Sequence, residues 1–515
     1  MAVRTFGAID VGSFELILKI YEFSGKDHIR EIDCIRRNVD LGSDTYAKGK
    51  IGSEKMDELC RTLHEFSEIL KSYRVEAYKA YGTSAIREAQ NSITILDQIR
   101  QRTGITIEVL SNSEQRFLGY KSVASKGEEF RRIIEQKTAV VEIGGGSIQL
   151  SLFDNDTLVS TQNLRLGVLR IQEQLHSLRA GNARLEEWID ELAMAQLSTY
   201  KKLYLKDREI NNIIVIDDYV SPWMIHRAGG NPDRTVIGAE EFRSMVSSVR
   251  STSARQNAAQ MGVSEEKGAL VFISAVLVGR IAQLMGAVNI WVPGVTLCDG
   301  IAYEYAEKIK MFRGEHDFER DIVACAKGIS KRYMGSRKRA ETLERIATTI
   351  FDSMKKVHGL GRRERLYLTL AAILHDCGKY ISLVNIGETS YNIIMATEII
   401  GLSHAEREMV ANIVRFYHSK FVYYGQEGSS EIWADRETYL TVSKLTAILR
   451  LASSLDRSHK EKMKGLKAGM KDDELVLVAD TMEDITLENR AFESAAEFFA
   501  EVFSLQPVLK QKKSF

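Results

Sequence analysis

The 515-residue chain is poor in proline and has no net charge. It contains four prolines, whereas the average usage of about 5% would give roughly 25, so we expect long helices and few proline-marked turns. Lys plus Arg and Asp plus Glu both number 70. Because these charges cancel, bulk charge gives no reason to expect a nucleic acid or a membrane surface as a partner. Any anion-binding site must therefore be local.

Neither the cysteines nor the apolar segments point to export or to a membrane. The chain reaches Arg4 and then a strand pattern, so no signal peptide is expected. The longest apolar run, Ala269 to Val278, is closed by Gly279-Arg280, and we expect it to be too short to span a bilayer. No two cysteines have metal-ligand or redox spacing, which predicts reduced thiols and a cytoplasmic protein: they are Cys34, Cys60, Cys298, Cys325 and Cys377.

Two short segments far apart in the chain share one pattern. The first is Ala8-Ile9-Asp10-Val11-Gly12-Ser13, and the second is Val141-Glu142-Ile143-Gly144-Gly145-Gly146-Ser147. In each, an apolar strand ends in an acid, a glycine turn follows, and apolar residues then alternate along a second strand. Glycine lets backbone N–H groups approach an anion, and the neighbouring acid can hold a hydrated cation. Two matched copies predict a duplicated domain with a phosphate cleft between its halves.

The periodicity separates an α/β region from a helical one. The length exceeds what one hydrophobic core supports, so several domains are expected. Strand and helix patterns alternate up to about residue 305, and no clear strand pattern appears from Tyr303 to about Leu455. We predict two α/β halves at 1–125 and 126–305, a helical domain at 306–470 and a small α/β tail at 471–515.

A third motif, Gly82-Thr83-Ser84-Ala85-Ile86-Arg87-Glu88-Ala89, follows a predicted strand. With it and the two glycine turns, the chain resembles the exopolyphosphatase/guanosine-pentaphosphate phosphatase family across nearly its full length. The resemblance implies duplicated actin-like (RNase H-like) halves followed by an all-α HD-like domain. It also implies removal of the terminal phosphate of polyphosphate, or of the 5′-γ-phosphate of guanosine pentaphosphate, with Mg²⁺, and a homodimer.

The resemblance assigns roles to the motif residues. It implies that Asp10 and Glu142 lie near the metal and the attacked phosphate. Tight turns and a surface arginine are the structural alternatives for the phosphate-binding set, which is Gly12, Ser13, Arg87, Gly144, Gly145, Gly146 and Ser147.

The chain departs from the family pattern at its acids. The family has two adjacent glutamates, the second of which activates water, but this chain has Glu114-Gln115. Gln115 has no basic lone pair near neutral pH and cannot be a general base. Glu114 is a catalytic candidate, although its capping-box spacing from Ser111 offers a structural role instead. Glu142 replaces an aspartate with a side chain one methylene longer, and Gln149 replaces another acid.

Two other regions also depart from the pattern. Asp217-Asp218-Tyr219-Val220 stands in place of a glycine-rich loop, where two carboxylates would repel a polyanion unless a cation intervened, and Cys298 replaces an arginine. In the HD-like domain His375 and Asp376 remain, either as metal ligands or as a structural remnant that packs helices. The other expected ligand positions hold Arg339, Thr389 and Ser453, with Asp456 near the last.

Three functions remain open from the sequence. The first is a phosphoanhydride hydrolase using metal-aided water attack, with Glu114 or Glu142 as the catalytic acid group. The second is a catalytically degenerate protein that binds polyphosphate or guanosine tetra- or pentaphosphate as a sensor. The third is an actin-like kinase or ATPase, which the missing glycine loop near Ile216 disfavours. The hydrolase is placed first because the resemblance is the broader evidence.

Overall fold

The computed structural model describes residues 3–24, 28–178, 184–230, 235–250, 254–261, 263–314, 316–426, 428–463 and 465–512. The chain forms two compact units, Met1–Asp321 and Ile322–Phe515.

The N-terminal unit begins with a five-stranded sheet of order β3-β2-β1-β4-β5. Strands β1 to β3 form an antiparallel meander, and β4 and β5 continue the sheet in parallel. The strands are β1 (Arg4–Val11), β2 (Glu15–Phe23), β3 (Ile29–Asn38), β4 (Ala77–Gly82) and β5 (Glu108–Val109). The helices are α1 (Leu41–Lys48), α2 (Ser53–Ser72), α3 (Ser84–Glu88), α4 (Ser92–Thr103), α5 (Asn112–Ala124) and α6 (Glu128–Ile134).

A second sheet in the same unit repeats this design. Its order is β10-β11-β9-β6-β7-β8, so β8-β7-β6-β9-β11 reproduces the order of the first sheet with the same strand directions. The strands are β6 (Thr138–Ile143), β7 (Ile148–Asp154), β8 (Thr157–Leu164), β9 (Asn212–Asp217), β10 (Val236–Gly238) and β11 (Asn289–Trp291). The helices are α7 (Val168–Ser177), α8 (Leu185–Tyr200), α9 (Val220–Arg227), α10 (Ala239–Arg250), α11 (Ala254–Met261), α12 (Glu265–Met285) and α13 (Leu297–Lys308). The duplication predicted from the glycine turns is therefore present.

The centre of each sheet is apolar on both faces. Six of the eight residues of β1 and all six of β9 are buried, as expected for strands covered by helices on both sides. The acids Asp10 and Glu142 near the ends of β1 and β6, and the glycines that follow these strands, are thus held by rigid strands.

The apolar run Ala269 to Val278 lies within the longer helix α12, which continues through Gly279-Arg280 to Met285. The run was expected to be too short for a bilayer, but the helix that contains it is longer. In the described part of the chain, Lys267–Met285 is long and apolar enough to cross a membrane, but 67% of it is buried inside the fold. Core helices of soluble proteins have this same composition, so the segment is only weak evidence for a membrane span.

The C-terminal unit combines a helical region with a small sheet. The helices are α14 (Phe318–Arg332), which crosses the unit boundary, α15 (Arg337–Ser353), α16 (Lys355–His358), α17 (Arg362–Leu374), α18 (Ile386–Ala396), α19 (His404–His418), α20 (Arg436–Ser454) and α21 (Thr486–Phe503). The strands are β12 (Lys467–Lys471), β13 (Glu474–Asp480) and β14 (Gln506–Lys512), in the order β12-β13-β14.

Candidate active site

The two glycine turns have the same backbone geometry. The Gly12 N–H donates to the carbonyl oxygen of Glu15 at 3.1 Å, and the Gly144 N–H donates to that of Ser147 at 2.9 Å. In each turn, the carbonyl oxygen of the residue after this glycine accepts a hydrogen bond from a helix N–H group. The Ser13 carbonyl accepts from α1, and the Gly145 carbonyl accepts from the Leu169 N–H of α7. Each acid is therefore the second-last residue of its strand and lies two residues before the first glycine of an equivalent turn.

The tips of the two hairpins touch each other. A Cβ atom on Gly145 would lie 2.9 Å from the Cβ of Ser13, and one on Gly146 would lie 2.5 Å from the Tyr46 hydroxyl oxygen. Only glycine fits these positions without displacing a neighbour. Within the described ranges, the N–H groups of Gly145 and Gly146 have no hydrogen-bond partner, so they are available to an anion.

Three hydroxyl groups connect the tips to the helices beside them. The Ser13 Oγ lies 2.8 Å from the Tyr46 hydroxyl and 3.0 Å from the Ser84 Oγ, and the last two are 2.9 Å apart. The guanidinium of Arg170 lies over the Tyr46 ring, 4.8 Å from its centroid, and donates to the Gly146 carbonyl at 3.0 Å. These contacts hold the two halves together at the tips.

A cavity of about 60 Å³ lies beside the tips and is bounded by both halves. Of the residues predicted to act in the site, Arg87, Glu114, Gly146 and Ser147 do not line it. Those that do are Asp10, Gly12, Ser13, Glu142, Gly144 and Gly145.

Asp10 presents a buried carboxyl oxygen to this region. Its Oδ1 has no hydrogen-bond partner among the described residues. Burial raises the pKa of Asp10 well above its usual range, and the nearby carboxylates of Asp218, Glu142 and Glu15 raise it further. A bound cation would satisfy this oxygen and offset the repulsion.

Glu142 is held by helix α5 on the opposite side. Its Oε1 accepts a hydrogen bond from the Gln115 Nε2 at 3.0 Å. Burial raises the pKa of Glu142 to about 7, although the Gln115 hydrogen bond and Arg116 oppose the rise. A carboxyl group with this pKa is about half ionised at neutral pH, as an efficient general base requires.

Arg87 is directed at the start of α5 rather than into the cavity. Its guanidinium donates to the Leu110 carbonyl at 2.7 Å and to the Asn112 Oδ1 at 2.6 Å. A longer contact of 3.4 Å reaches the Gln115 Oε1. Arg87 thus orients the amide that binds Glu142.

Glu114 has the structural position that its spacing suggested. Its Oε2 accepts from the Ser111 N–H at 3.0 Å and from the Ser111 hydroxyl at 2.7 Å. The Ser111 Oγ in turn accepts from the Glu114 N–H, which completes a capping box at the start of α5. The carboxylate is therefore occupied away from the cavity.

Gln149 also has a defined partner. Its Oε1 accepts from the Arg116 Nε at 2.9 Å, and both residues are buried. A neutral amide there leaves the positive charge of Arg116 to act on the Glu142 carboxylate, whose pKa it lowers.

Lys267 is a cavity residue that the sequence did not reveal. It is the single basic residue among the described residues that line the cavity. Its Nζ donates to the Glu15 Oε1 at 3.2 Å, and Arg36 donates to the other Glu15 oxygen at 2.6 Å. Lys267 follows the Ser264 cap of α12, a cap that the sequence indicates, but only the packing of α12 brings it to the cavity.

Asp217, one of the two acids expected to repel a polyanion, lines the cavity and is held at the start of α9. Its carboxylate accepts four hydrogen bonds, from the N–H groups of Val220 and Ser221 and from the hydroxyls of Ser221 and Ser274. Helix N-termini stabilise a carboxylate in this way. The neighbouring carboxylate of Asp218 also lines the cavity, and its Oδ1 lies 3.9 Å from Arg36.

Cys298, which replaces an expected arginine, is buried against β1 and β2. Its thiol lies 3.5 Å from the Ala8 carbonyl and 3.8 Å from that of Ile17. The adjacent Asp299 is bound by Lys19 and Tyr21. These residues fasten α13 to the first sheet.

The C-terminal unit has an ion pair where an HD-like site was anticipated. Arg339 is buried and binds the carboxylate and carbonyl of Asp456, and it donates to the Ser453 Oγ at 3.0 Å. The His375 Nδ1 donates to the Ala372 carbonyl at 2.8 Å, and burial lowers the pKa of His375 to about 4. Among the described residues, no group of three or more His, Cys, Asp or Glu side chains could hold a metal ion.

The chain is similar to several known proteins. The chain is 27% identical over 292 residues to exopolyphosphatase 1 of Mycobacterium leprae, and the aligned region covers 54% of this chain and 76% of that protein. It is 23% identical over 419 residues to guanosine-5'-triphosphate,3'-diphosphate pyrophosphatase of Vibrio atlanticus, 81% of each chain. A crystal structure of an exopolyphosphatase from Cytophaga hutchinsonii matches with a TM-score of 0.50 at 20% identity, over 60% of this chain and all of that one. This likeness confirms the predicted duplicated actin-like fold, whereas the HD-like character of the helical region stays a prediction.

Two family models match most of the sequence. The model described as "Ppx/GppA phosphatase family" matches residues 20–308, which is more than half of the chain. The model described as "Ppx/GppA phosphatase, domain III" matches residues 323–494. The chain therefore belongs to the Ppx/GppA phosphatase family.

Proposed function

We propose that the protein is a phosphoanhydride hydrolase that releases the terminal phosphate of inorganic polyphosphate or the 5′-γ-phosphate of guanosine pentaphosphate. The observation that carries the proposal is the Glu142 carboxyl group, which lines the cavity at the glycine tip with a pKa of about 7. A hydrolase needs a base at this place, and position 115 cannot supply one. The named relatives, an exopolyphosphatase and a guanosine-pentaphosphate pyrophosphatase, support both substrate classes.

In this mechanism Glu142 accepts a proton from a water molecule whose oxygen attacks the terminal phosphorus. The bond from phosphorus to the bridging oxygen breaks on the opposite side, and the shortened chain leaves with the electron pair of that bond. The N–H groups of Gly145 and Gly146 bind the terminal phosphate, and Lys267 offsets charge on the phosphates that follow. Arg87 and Gln115 keep the Glu142 carboxylate in place.

Mg²⁺ is the cofactor that fits these residues. It keeps several waters and commonly binds through one or two carboxylates together with substrate phosphates. Asp10 supplies a carboxyl oxygen without a partner among the described residues, so phosphate oxygens and water would complete the shell. When bound, the ion would neutralise phosphate charge, and Glu142, which was also predicted as a metal ligand, would remain the base.

Phosphate release tests the proposal. We expect wild-type protein with Mg²⁺ to release phosphate from medium-chain polyphosphate or from guanosine pentaphosphate, and Gly145→Asp to lose this activity, because its side chain would collide with Ser13 and repel phosphate. Equilibrium binding of the same two substrates should be measured beside turnover. Binding without release by the wild type would contradict the hydrolase and favour the sensor.

We also propose a cytoplasmic homodimer that uses neither a nucleic acid nor a membrane as its partner, with the four domain boundaries given above. The spacing of the cysteines, which has no metal-ligand or redox pattern, and the zero net charge support the location and the partners. Light scattering after gel filtration would test the dimer, and limited proteolysis would test the boundaries.

A further inference from the structure

Gly119 lies in the interior of helix α5, next to the acid of the second hairpin tip. A Cβ atom at this position would be 2.6 Å from the Glu142 Oε2 and 3.2 Å from the Glu142 Cδ. The Glu142 carboxylate is therefore packed directly against the bare backbone of α5. Gln115, which donates to the other oxygen of Glu142, precedes Gly119 by one helical turn and shares its face.

We propose that Gly119 is a positioning residue for the reaction: with Gln115, it forms a socket on α5 that holds the carboxylate of Glu142 at the cavity wall. This inference rests on the proposed function, in which Glu142 is the base. It explains how a side chain one methylene longer than aspartate is accommodated. The extra length is taken up against α5 instead of extending toward Asp10.

A glycine in a helix interior needs a reason, because it destabilises the helix relative to alanine. Helix α12 provides the contrast. A Cβ atom on Gly279, also inside a helix, would have no atom within 4 Å. Gly119 is buried, and the Glu142 carboxylate fills the space where a side chain at position 119 would lie.

Alanine at position 119 would force the carboxylate to move. The Glu142 Oε2 must retreat by about 0.8 Å to reach an ordinary contact distance of 3.4 Å, and misplacements near 1 Å can cost about 10²-fold in rate. We expect Gly119→Ala to lower kcat by about 10- to 100-fold with little change in KM, because the phosphate-binding turns are untouched. Gly279→Ala is the matched control and should keep wild-type kcat.

Shortening the acid should reverse the defect. In the double variant Gly119→Ala/Glu142→Asp the carboxylate is withdrawn from the new methyl group, so kcat should exceed that of Gly119→Ala, and also that of Glu142→Asp, whose socket is left empty. If Gly119→Ala does not fold, comparing kcat of Gly119→Ala/Glu142→Asp with that of Glu142→Asp still tests the socket. No rescue, or a wild-type kcat in Gly119→Ala, would overturn the socket, whereas an inactive wild type would instead overturn the proposed hydrolase.

Discussion

The two hairpin tips share a backbone but differ in their side chains. Both acids precede the same turn, closed by the same hydrogen bond. At the first tip, Asp10 has a buried oxygen without a partner among the described residues. At the second, Glu142 is longer and is bound by Gln115 in the socket of α5.

This difference shows how two copies of one backbone structure can take on different roles. Backbone geometry is set by strand pairing and turn closure, which both copies keep. The length of one side chain and the space beside it then decide whether a carboxylate is free to meet a cation or is fixed as a base. In the proposed function, the cation therefore binds at the Asp10 tip and proton transfer takes place at the Glu142 tip.

The largest effect should come from removing the acid of the second tip. Glu142→Gln keeps the shape and the contact with Gln115 but cannot accept a proton, so kcat should fall by about 10²–10⁴-fold, the usual contribution of a general base. Steady-state phosphate release measures it. Glu114→Gln is the matched control, since its carboxylate caps α5, and it should lose less than about tenfold. Equal losses in both variants would contradict the assignment.

Removing the acid of the first tip should act on the cation instead. Asp10→Asn should raise the Mg²⁺ concentration for half-maximal activity by about 10- to 100-fold, the range seen when the surroundings of a metal site are altered. A titration of activity with Mg²⁺ would show it, and Glu142→Gln should leave that midpoint unchanged. A shifted midpoint in Glu142→Gln with none in Asp10→Asn would reverse the two roles.

The Glu142 carboxyl group of the second tip should lower the free energy of unfolding at neutral and alkaline pH. Burial raises the pKa of Glu142 to about 7, so the folded protein holds this proton more tightly than the unfolded chain, and wild-type stability falls as pH rises from about 4.5 to 7. Glu142→Gln should be more stable than wild type by on the order of 3 kcal/mol at pH 8 and nearly equal at pH 4. Chemical denaturation at both pH values tests this, and an equal gain at both would refute it.

The pH profile of the reaction follows from the same group. Because the base must be ionised, kcat/KM should fall about tenfold for each pH unit below 7 and level off above it. Phosphate release between pH 5 and 9 measures this profile. A flat profile through pH 7 would remove Glu142 as the base while leaving the binding site intact.

The smallest effect should come from the hydroxyls that join the tips. Tyr46→Phe removes a group bonded to Ser13 and Ser84, which should lower the free energy of unfolding by about 1 kcal/mol and leave kcat within a few-fold. Denaturant unfolding beside a kinetic assay checks both. A large loss of kcat without a loss of stability would place Tyr46 in the chemistry.

Much of the site followed from local patterns. The strand, acid and glycine order predicted both hairpins, and the spacing of Ser111 and Glu114 predicted the cap that the structure contains. These features depend on residues a few positions apart, whose geometry the backbone itself dictates. The length of the apolar segment was underestimated, because the helix that contains Ala269 to Val278 continues through Gly279-Arg280 to Met285.

What the sequence by itself determined is the repeated frame: two apolar strand pairs, each ending in an acid and a glycine turn, because periodicity and turn chemistry are local. Only the tertiary structure decided what those acids do. Three features need particular side-chain positions in the packed fold. They are the socket that Gly119 and Gln115 form for Glu142, the position of Lys267 in the cavity wall, and the hydrogen bonds of Asp217 at the start of α9. The first two join residues from separate helices and strands, and no local pattern specifies which distant side chain will fill a given space.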